Sequence, residues 1–331
     1  MKSNKKFIFV VLTYNHSEYI LEHLESIKFL ILNYGTGYDF KLVIADDGSR
    51  DRTVELIKLW INGNSQLFVE IVIEGDGKNR GTCKSFTNTW KHVDSEYFKV
   101  TAGDDVYSFE NLIAQADSLS QNDFVSGVPL LLIGGQIKKS AFLIFNIFAT
   151  DVIYSRLPNF IDRLEGISVI NTPSLFYNIK FLKNADVLNF INLCKVTEDF
   201  PMLVKIAEIY KCLSFNQTDK VFVYYRRTPG STFLIRGTDF DSDKLKVFKH
   251  MLANEKSSLK KILLRNRIAC YQSKNPITKK MRNLNYYIYL FRVLKNLPKI
   301  LSKFFQFNSY EDRHKIHYSI IQTEALKYLN K

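Results

Sequence analysis

The chain has 331 residues, 46 Lys/Arg against 33 Asp/Glu for a net charge of +13, 46% hydrophobic residues and four cysteines. That is enough for one large domain or two modest ones with an ordinary globular core. Cys83, Cys194, Cys212 and Cys270 are too widely spaced for a zinc site or a disulfide framework, which argues for a reducing compartment.

In chain order, Phe7–Leu12 is a continuous apolar run, suited to a buried parallel strand, with Thr13-Tyr14-Asn15-His16-Ser17 as the loop after it. Glu18–Leu32 has helical spacing, with Ile20, Leu24, Ile27 and Leu30 on one face. A second strand, Lys41–Ala45, runs into Asp46-Asp47-Gly48-Ser49, and Ser49 or Asp51 is placed to cap a helix over Arg52–Trp60. A third strand is expected over Leu67–Ile73. Asn79-Arg80-Gly81 then opens a helix through Trp90. A fourth strand, Tyr97–Val100, ends at Gly103-Asp104-Asp105. This alternation predicts a doubly wound, mostly parallel α/β sheet flanked by helices. Ser108–Leu193 reads as mixed helices and short strands. Phe200–Ile209 reads as a helix opened by Glu198-Asp199, Val221–Tyr225 as a strand, and nearly everything beyond Asp241 as helix broken at Pro276 and Pro298.

Three acidic clusters thus follow apolar runs: Asp46-Asp47, Asp104-Asp105 and Glu198-Asp199. In open α/β sheets, ligands bind beyond the carboxyl ends of the strands. Carboxylates gathered there repel one another unless a cation, a sugar or a polarised water lies between them. Charge is unevenly spread as well. Residues 241–331 hold 20 Lys/Arg and 6 Asp/Glu, a net +14, which leaves residues 1–240 at −1. Two units are therefore expected, 1–240 with the acidic clusters and 241–331 a basic helical region that docks on a membrane or partner or packs on the first unit.

The ordered motifs resemble family 2 glycosyltransferases of the GT-A fold. The segments that carry the resemblance are Phe9–Ile20 with its Thr13-Tyr14-Asn15, Asp46-Asp47-Gly48-Ser49-Arg50-Asp51-Arg52-Thr53, Asn79-Arg80-Gly81, Gly103-Asp104-Asp105, Thr197-Glu198-Asp199 and Tyr224-Tyr225-Arg226-Arg227. The resemblance covers about residues 5–235 and implies transfer of a sugar from a nucleoside diphosphate, UDP foremost, to a hydroxyl of a glycan or lipid-linked glycan. It implies Thr13, Tyr14, Asn15 and one or both of Asp46 and Asp47 at the base and ribose, with Asn79, Gly81 and Lys84 beside them. Asp104, with Asp105, would hold Mn²⁺ or Mg²⁺ against the diphosphate. The family's Asp-x-Asp pair is reduced here, because Ala102 stands at its first position. Metal-independent turnover, with Lys84 or Arg80 neutralising the phosphates, stays open. Arg226 or Arg227, followed by Thr228-Pro229-Gly230-Ser231, would close the site. Asp199 maps onto the base of an inverting displacement, with Glu198 as its neighbour.

Acceptor contacts are expected between Ser108 and Leu193, near Asn171–Tyr177. Leu290, Leu294, Leu297, Leu301 and Phe304/Phe305 share a face of a basic helix that carries Arg292, Lys295, Lys299 and Lys303, so residues 282–307 could lie on an anionic membrane surface. No nucleic-acid motif accompanies the basic charge. Phe7–Leu12 is too short for a signal peptide, and Gly134-Gly135 and Lys138-Lys139 interrupt the longest apolar stretch, Val128–Ala149. A cytoplasmic protein is expected, peripheral at most on the inner face of the membrane. It would build a bacterial capsule, O-antigen or lipooligosaccharide. Two competing readings are a non-catalytic sugar-nucleotide-binding or membrane scaffold, which Ala102 favours, and a sugar-1-phosphate nucleotidyltransferase. The latter would want a glycine-rich loop after the first strand.

Overall fold

A computed structural model describes residues 4–155, 157, 159–228, 239–273, 275, 277 and 281–329. Pro229-Gly230-Ser231 and the expected break at Pro276 lie outside the described residues.

Strands β1 (Lys5–Thr13), β2 (Tyr38–Asp46), β3 (Glu70–Glu74) and β4 (Tyr97–Ala102) form a parallel sheet in the order β3-β2-β1-β4. The residues of β1 from Phe7 to Val11 are fully buried, as a strand covered on both faces requires. Helices α1 (Ile20–Tyr34), α2 (Thr53–Asn64) and α3 (Thr82–Thr89) supply that cover. Ile20, Leu24, Ile27 and Leu30 of α1 and Leu56, Ile57 and Trp60 of α2 share a core with Phe7, Phe9 and Val11. Ile8, Val10 and Leu12 face the opposite layer, against Cys83 and Phe86 of α3. The connection order reverses between β1 and β4, which makes their carboxyl ends the switch point where such sheets take ligands. Register brings the first two acidic clusters to that level, since Thr13 pairs with Asp46 and Leu12 with Ala102.

The middle of the chain builds two small sheets among the described residues. One is β10-β6-β9, with β6 (Phe124–Ser126), β9 (Leu175–Tyr177) and β10 (Phe215–Gln217). The other is β5-β11-β7-β8, with β5 (Val106–Tyr107), β7 (Leu130–Ile133), β8 (Gln136–Lys138) and β11 (Val223–Arg226). Helices α4 (Ala141–Tyr154), α5 (Phe160–Glu165), α6 (Ala185–Ile191) and α7 (Asp199–Ile209) pack around them. Asp105 leads directly into β5.

The C-terminal extension is helical: α8 (Asp239–Asn254), α9 (Ser258–Gln272), α10 (Leu284–Gln306) and α11 (Glu311–Leu329). These helices share cores with the sheet domain. Ala325 joins the core under α1, Tyr318 and Ile321 pack with Leu130 and Tyr224, and Val247 and Met251 pack with α7. Pro298 does not break α10, which runs through it. The residue is exposed, so the carbonyl that loses its partner can turn to water. No described helix is long and apolar enough to cross a membrane.

Candidate active site

A cleft of about 1150 Å³ opens at the carboxyl ends of β1 and β4. Its walls come from the loop after β1, the turn after β4, the first turn of α7, the 168–173 segment, the end of β11 and α8. Of the residues singled out from the sequence, Thr13, Tyr14, Asn15, Asp47, Asp104, Asp105, Glu198, Asp199, Arg226 and Arg227 line it. Asp46, Asn79, Gly81 and Lys84 do not.

The two carboxylates of the Asp46-Asp47 pair do different work. Asp46 accepts from Gly48 N–H (3.1 Å), Ser49 N–H (2.9 Å) and the Ser49 hydroxyl, so it holds its own turn. Asp47 reaches across instead. It accepts from Arg80 N–H (2.8 Å), Gly81 N–H (3.0 Å) and the Ser85 hydroxyl (2.9 Å), tying the start of α3 to the cleft wall. Asn15, at φ 53°, accepts from Arg50 N–H (2.8 Å) and braces the same turn, while Ser49 Oγ accepts from Asn15 N–H (2.9 Å). Asn79 and Lys84 are exposed beside this wall. Gly81 sits at φ +91°, and a Cβ there would lie 2.4 Å from the Lys195 carbonyl, so only glycine lets α3 approach the segment that leads to Glu198. The Thr13 hydroxyl is buried in the cleft with no partner among the described residues.

At the end of β4, one oxygen of buried Asp105 accepts from Arg226 N–H (2.8 Å) and the other has no partner among the described residues. Burial, then repulsion from Asp104, pushes the Asp105 carboxyl well above its usual range, against the pull of Arg226. Arg226 donates through Nε to the Asp104 carbonyl (2.5 Å) and through its other arm to Glu22, and stacks 4.5 Å from the Tyr19 ring centre. It is therefore a buried strut behind the two aspartates. Arg227 lies on the cleft wall itself.

The Asp104 carboxylate lines the cleft with no hydrogen-bond partner among the described residues. Among them no group of three or more His, Cys, Asp or Glu is set to hold a metal ion. One carboxylate completed by diphosphate oxygens and water is nonetheless an ordinary Mg²⁺-type arrangement, and Asp104 with the unpartnered Asp105 oxygen fits it.

Across the cleft, Asp199 opens α7. Its Oδ1 accepts from Phe200 N–H (2.6 Å) and its Oδ2 from the Thr172 hydroxyl (3.0 Å). Burial, and then the Asp199 charge, raises Glu198 to about 8, with Lys244 opposing. Before the pair, Asp243 accepts three consecutive N–H groups, of Lys195 (2.8 Å), Val196 (2.9 Å) and Thr197 (3.3 Å). Lys244 lines the cleft beside Phe200, 4.1 Å from its ring centre, and burial lowers its pKa. Sequence reading missed Asp243, Lys244 and Glu22, because lone charges in a basic tail or on a helix carry no local signal. Thr172 falls in the 171–177 stretch expected to face the acceptor.

The family model for glycosyl transferase family 2 matches residues 8–163. Among solved structures, TarS 1-349 of S. aureus in complex with UDP-GlcNAc is similar at TM-score 0.55 and 16% identity, over 98% of this chain and 89% of that one. The mannosyltransferase PcManGT of Pyrobaculum calidifontis, in complex with GDP-Man and Mn²⁺, is similar at TM-score 0.52 and 13% identity, over 99% and 88%. These likenesses share the GT-A fold and extend through the C-terminal helices. No curated protein matches the chain in sequence. Residues 8–163 thus form a glycosyl transferase family 2 domain, and the chain that carries it is a glycosyltransferase.

Proposed function

We propose that the enzyme transfers a sugar from a nucleoside diphosphate, UDP foremost, to a hydroxyl of a glycan or lipid-linked glycan with inversion. The reading assigns it to bacterial surface-polysaccharide assembly, on the cytoplasmic face of the membrane. Residues 1–240 are taken as the catalytic unit and 241–331 as an extension that packs on it. The observation that carries the reading is one cleft at the switch point with Asp104 on one wall and Asp199 on another.

In this reading Thr13 and Asp47 receive the base and ribose. The unpartnered Thr13 hydroxyl supports that role. Asp46 and Asn15 shape the turn behind them. Asp104, assisted by Asp105, holds Mn²⁺ or Mg²⁺, which when bound stabilises charge on the departing diphosphate. Arg226 fixes the two aspartates, and Arg227 faces the phosphates. Asp199, steadied by Thr172, takes the proton from the acceptor hydroxyl as that oxygen attacks the anomeric carbon and the bond to the diphosphate breaks. Glu198 stays protonated beside it near neutral pH, so the pair carries one negative charge rather than two. Lys244 supplies a compensating positive charge.

The reading is tested by calorimetric titration of UDP with and without Mn²⁺, on wild type and Asp104→Asn. Binding that needs both the metal and Asp104 supports it. Equal binding without either places the diphosphate on basic side chains and overturns the metal assignment. Absence of UDP binding overturns the donor.

A further inference from the structure

The helix α10 is apolar on two opposite sides. Its inner side buries Tyr289, Val293 and Ile300 against Ala149, Ile153 and Tyr154 of α4. Leu297 and Phe304 also turn inward, which the expected single leucine face did not anticipate. Phe291 (68% exposed), Leu294 (68%) and Phe305 (77%) point outward, with Tyr287 beside them. At 100° per residue, Tyr287, Phe291, Leu294, Pro298 and Phe305 fall on one stripe. Water does not favour such a stripe of large side chains, and a soluble surface seldom offers one along so much of a helix.

The charge beside the stripe identifies its partner. Between Leu284 and Gln306 there are four basic residues and no acidic ones. Lys303 is held by Asp151 (2.7 Å), and Arg292 lies over Tyr154. Lys295 and Lys299 are exposed on the flank of the stripe, with no ion pair among the described residues. A second copy docking stripe to stripe would bring like charges together. An anionic bilayer interface instead receives the aromatic and leucine side chains among its acyl chains and the lysines among its phosphates. The helix is too polar to span, so it would lie in the interface plane.

We infer that the outward face of α10, through Phe291, Leu294 and Phe305 flanked by Lys295 and Lys299, docks the enzyme on an anionic lipid surface. The inference deepens the peripheral location proposed above and rests on that reading, but not on the donor chemistry. The helix α4 connects the two regions, since its Leu143 lines the cleft while its later turns pack on α10. Docking therefore sets the cleft one helix away from the lipid surface.

The test is flotation of the purified full-length protein with vesicles of phosphatidylcholine alone or with added phosphatidylglycerol. The comparison variants are Phe291→Ser/Leu294→Ser and Lys295→Glu/Lys299→Glu. All four positions are solvent-facing, and circular dichroism and UDP binding report whether the fold and donor site survive. Wild type is expected to float with the anionic vesicles, and each variant to bind at least about tenfold more weakly with its UDP binding unchanged. Wild type that stays unbound, or floats equally with neutral vesicles, overturns the inference. So does undiminished flotation of the apolar variant, or a wild-type dimer that this variant dissociates. Failure of UDP binding with flotation intact would sink the donor reading and leave this one standing.

Discussion

The Glu22–Arg226 pair makes the C-terminal helix α11 answerable for the geometry of the aspartates. Glu22 accepts from Arg226 and from the Tyr318 hydroxyl (2.9 Å), while Arg226 holds the Asp104 carbonyl and the Asp105 carboxylate. Their side chains are only 16% and 7% exposed. Breaking a buried pair by removing one partner costs about 3–5 kcal/mol. Here the guanidinium keeps the Asp104 carbonyl and the Tyr19 ring, and Glu22 retains some water, so Glu22→Ala is expected to cost about 2–3 kcal/mol. Glu22→Gln keeps an acceptor and should cost about 1 kcal/mol, and Tyr318→Phe, which loses the hydrogen bond to Glu22 and the one from Gln322, about 1–2 kcal/mol. Because Tyr318 and Arg226 share Glu22, the Glu22→Ala/Tyr318→Phe double variant should depart from additivity by at least about 0.5 kcal/mol. Urea denaturation reads these as shifts in midpoint at constant slope. Glu22→Ala should also lose turnover beyond its loss of folded protein, because the guanidinium that holds the Asp104 carbonyl loses its anchor on the far side. A Glu22→Ala variant within about 0.5 kcal/mol of wild type and fully active would refute the strut.

The Asp46-Asp47 pair should separate under substitution. Asp47→Asn is expected to abolish UDP binding in calorimetry, while Asp46→Asn mainly costs stability, about 1–2 kcal/mol in urea, through its turn. For Glu198, the folded state holds a proton that the unfolded state releases above about 4.5, so its contribution to stability falls as pH rises toward about 8 and then levels. Glu198→Gln should therefore gain melting temperature relative to wild type across that window, as scanning calorimetry at several pH values would show. Gly81→Ala forces a strained φ and a contact with the Lys195 carbonyl, and should cost about 2 kcal/mol or more in urea and lower activity. Ala102→Asp places a second carboxylate on the cleft wall two residues before Asp104. It should tighten Mn²⁺ binding about tenfold by calorimetry.

Local signals carried far in this chain. The apolar runs ending at Thr13, Asp46 and Ala102 were legible because strand burial and strand-end polarity are written within a few residues of one another. The third strand began later than expected, at Glu70, because a 3-10 turn takes Ser65–Leu67. What stayed hidden depends on contacts far apart in sequence. Nothing near Asp46 and Asp47 says that one bonds its own turn and the other the start of α3. Several short strands of the middle region are defined by partners about a hundred residues away, as Phe215 with Phe124 and Tyr224 with Leu130 show. Asp243, Lys244 and Tyr318 sit in a region whose bulk charge masked their individual contacts with the site.

Asp199 is proposed as the base of a nucleotide-sugar-dependent transfer in this cleft. The most direct measurement is release of nucleoside diphosphate from a panel of nucleotide sugars by wild type and Asp199→Asn, with UDP affinity measured on both. Wild-type turnover is expected to fall about 10²–10⁴-fold in Asp199→Asn, with UDP affinity preserved. Turnover retained in Asp199→Asn would contradict it.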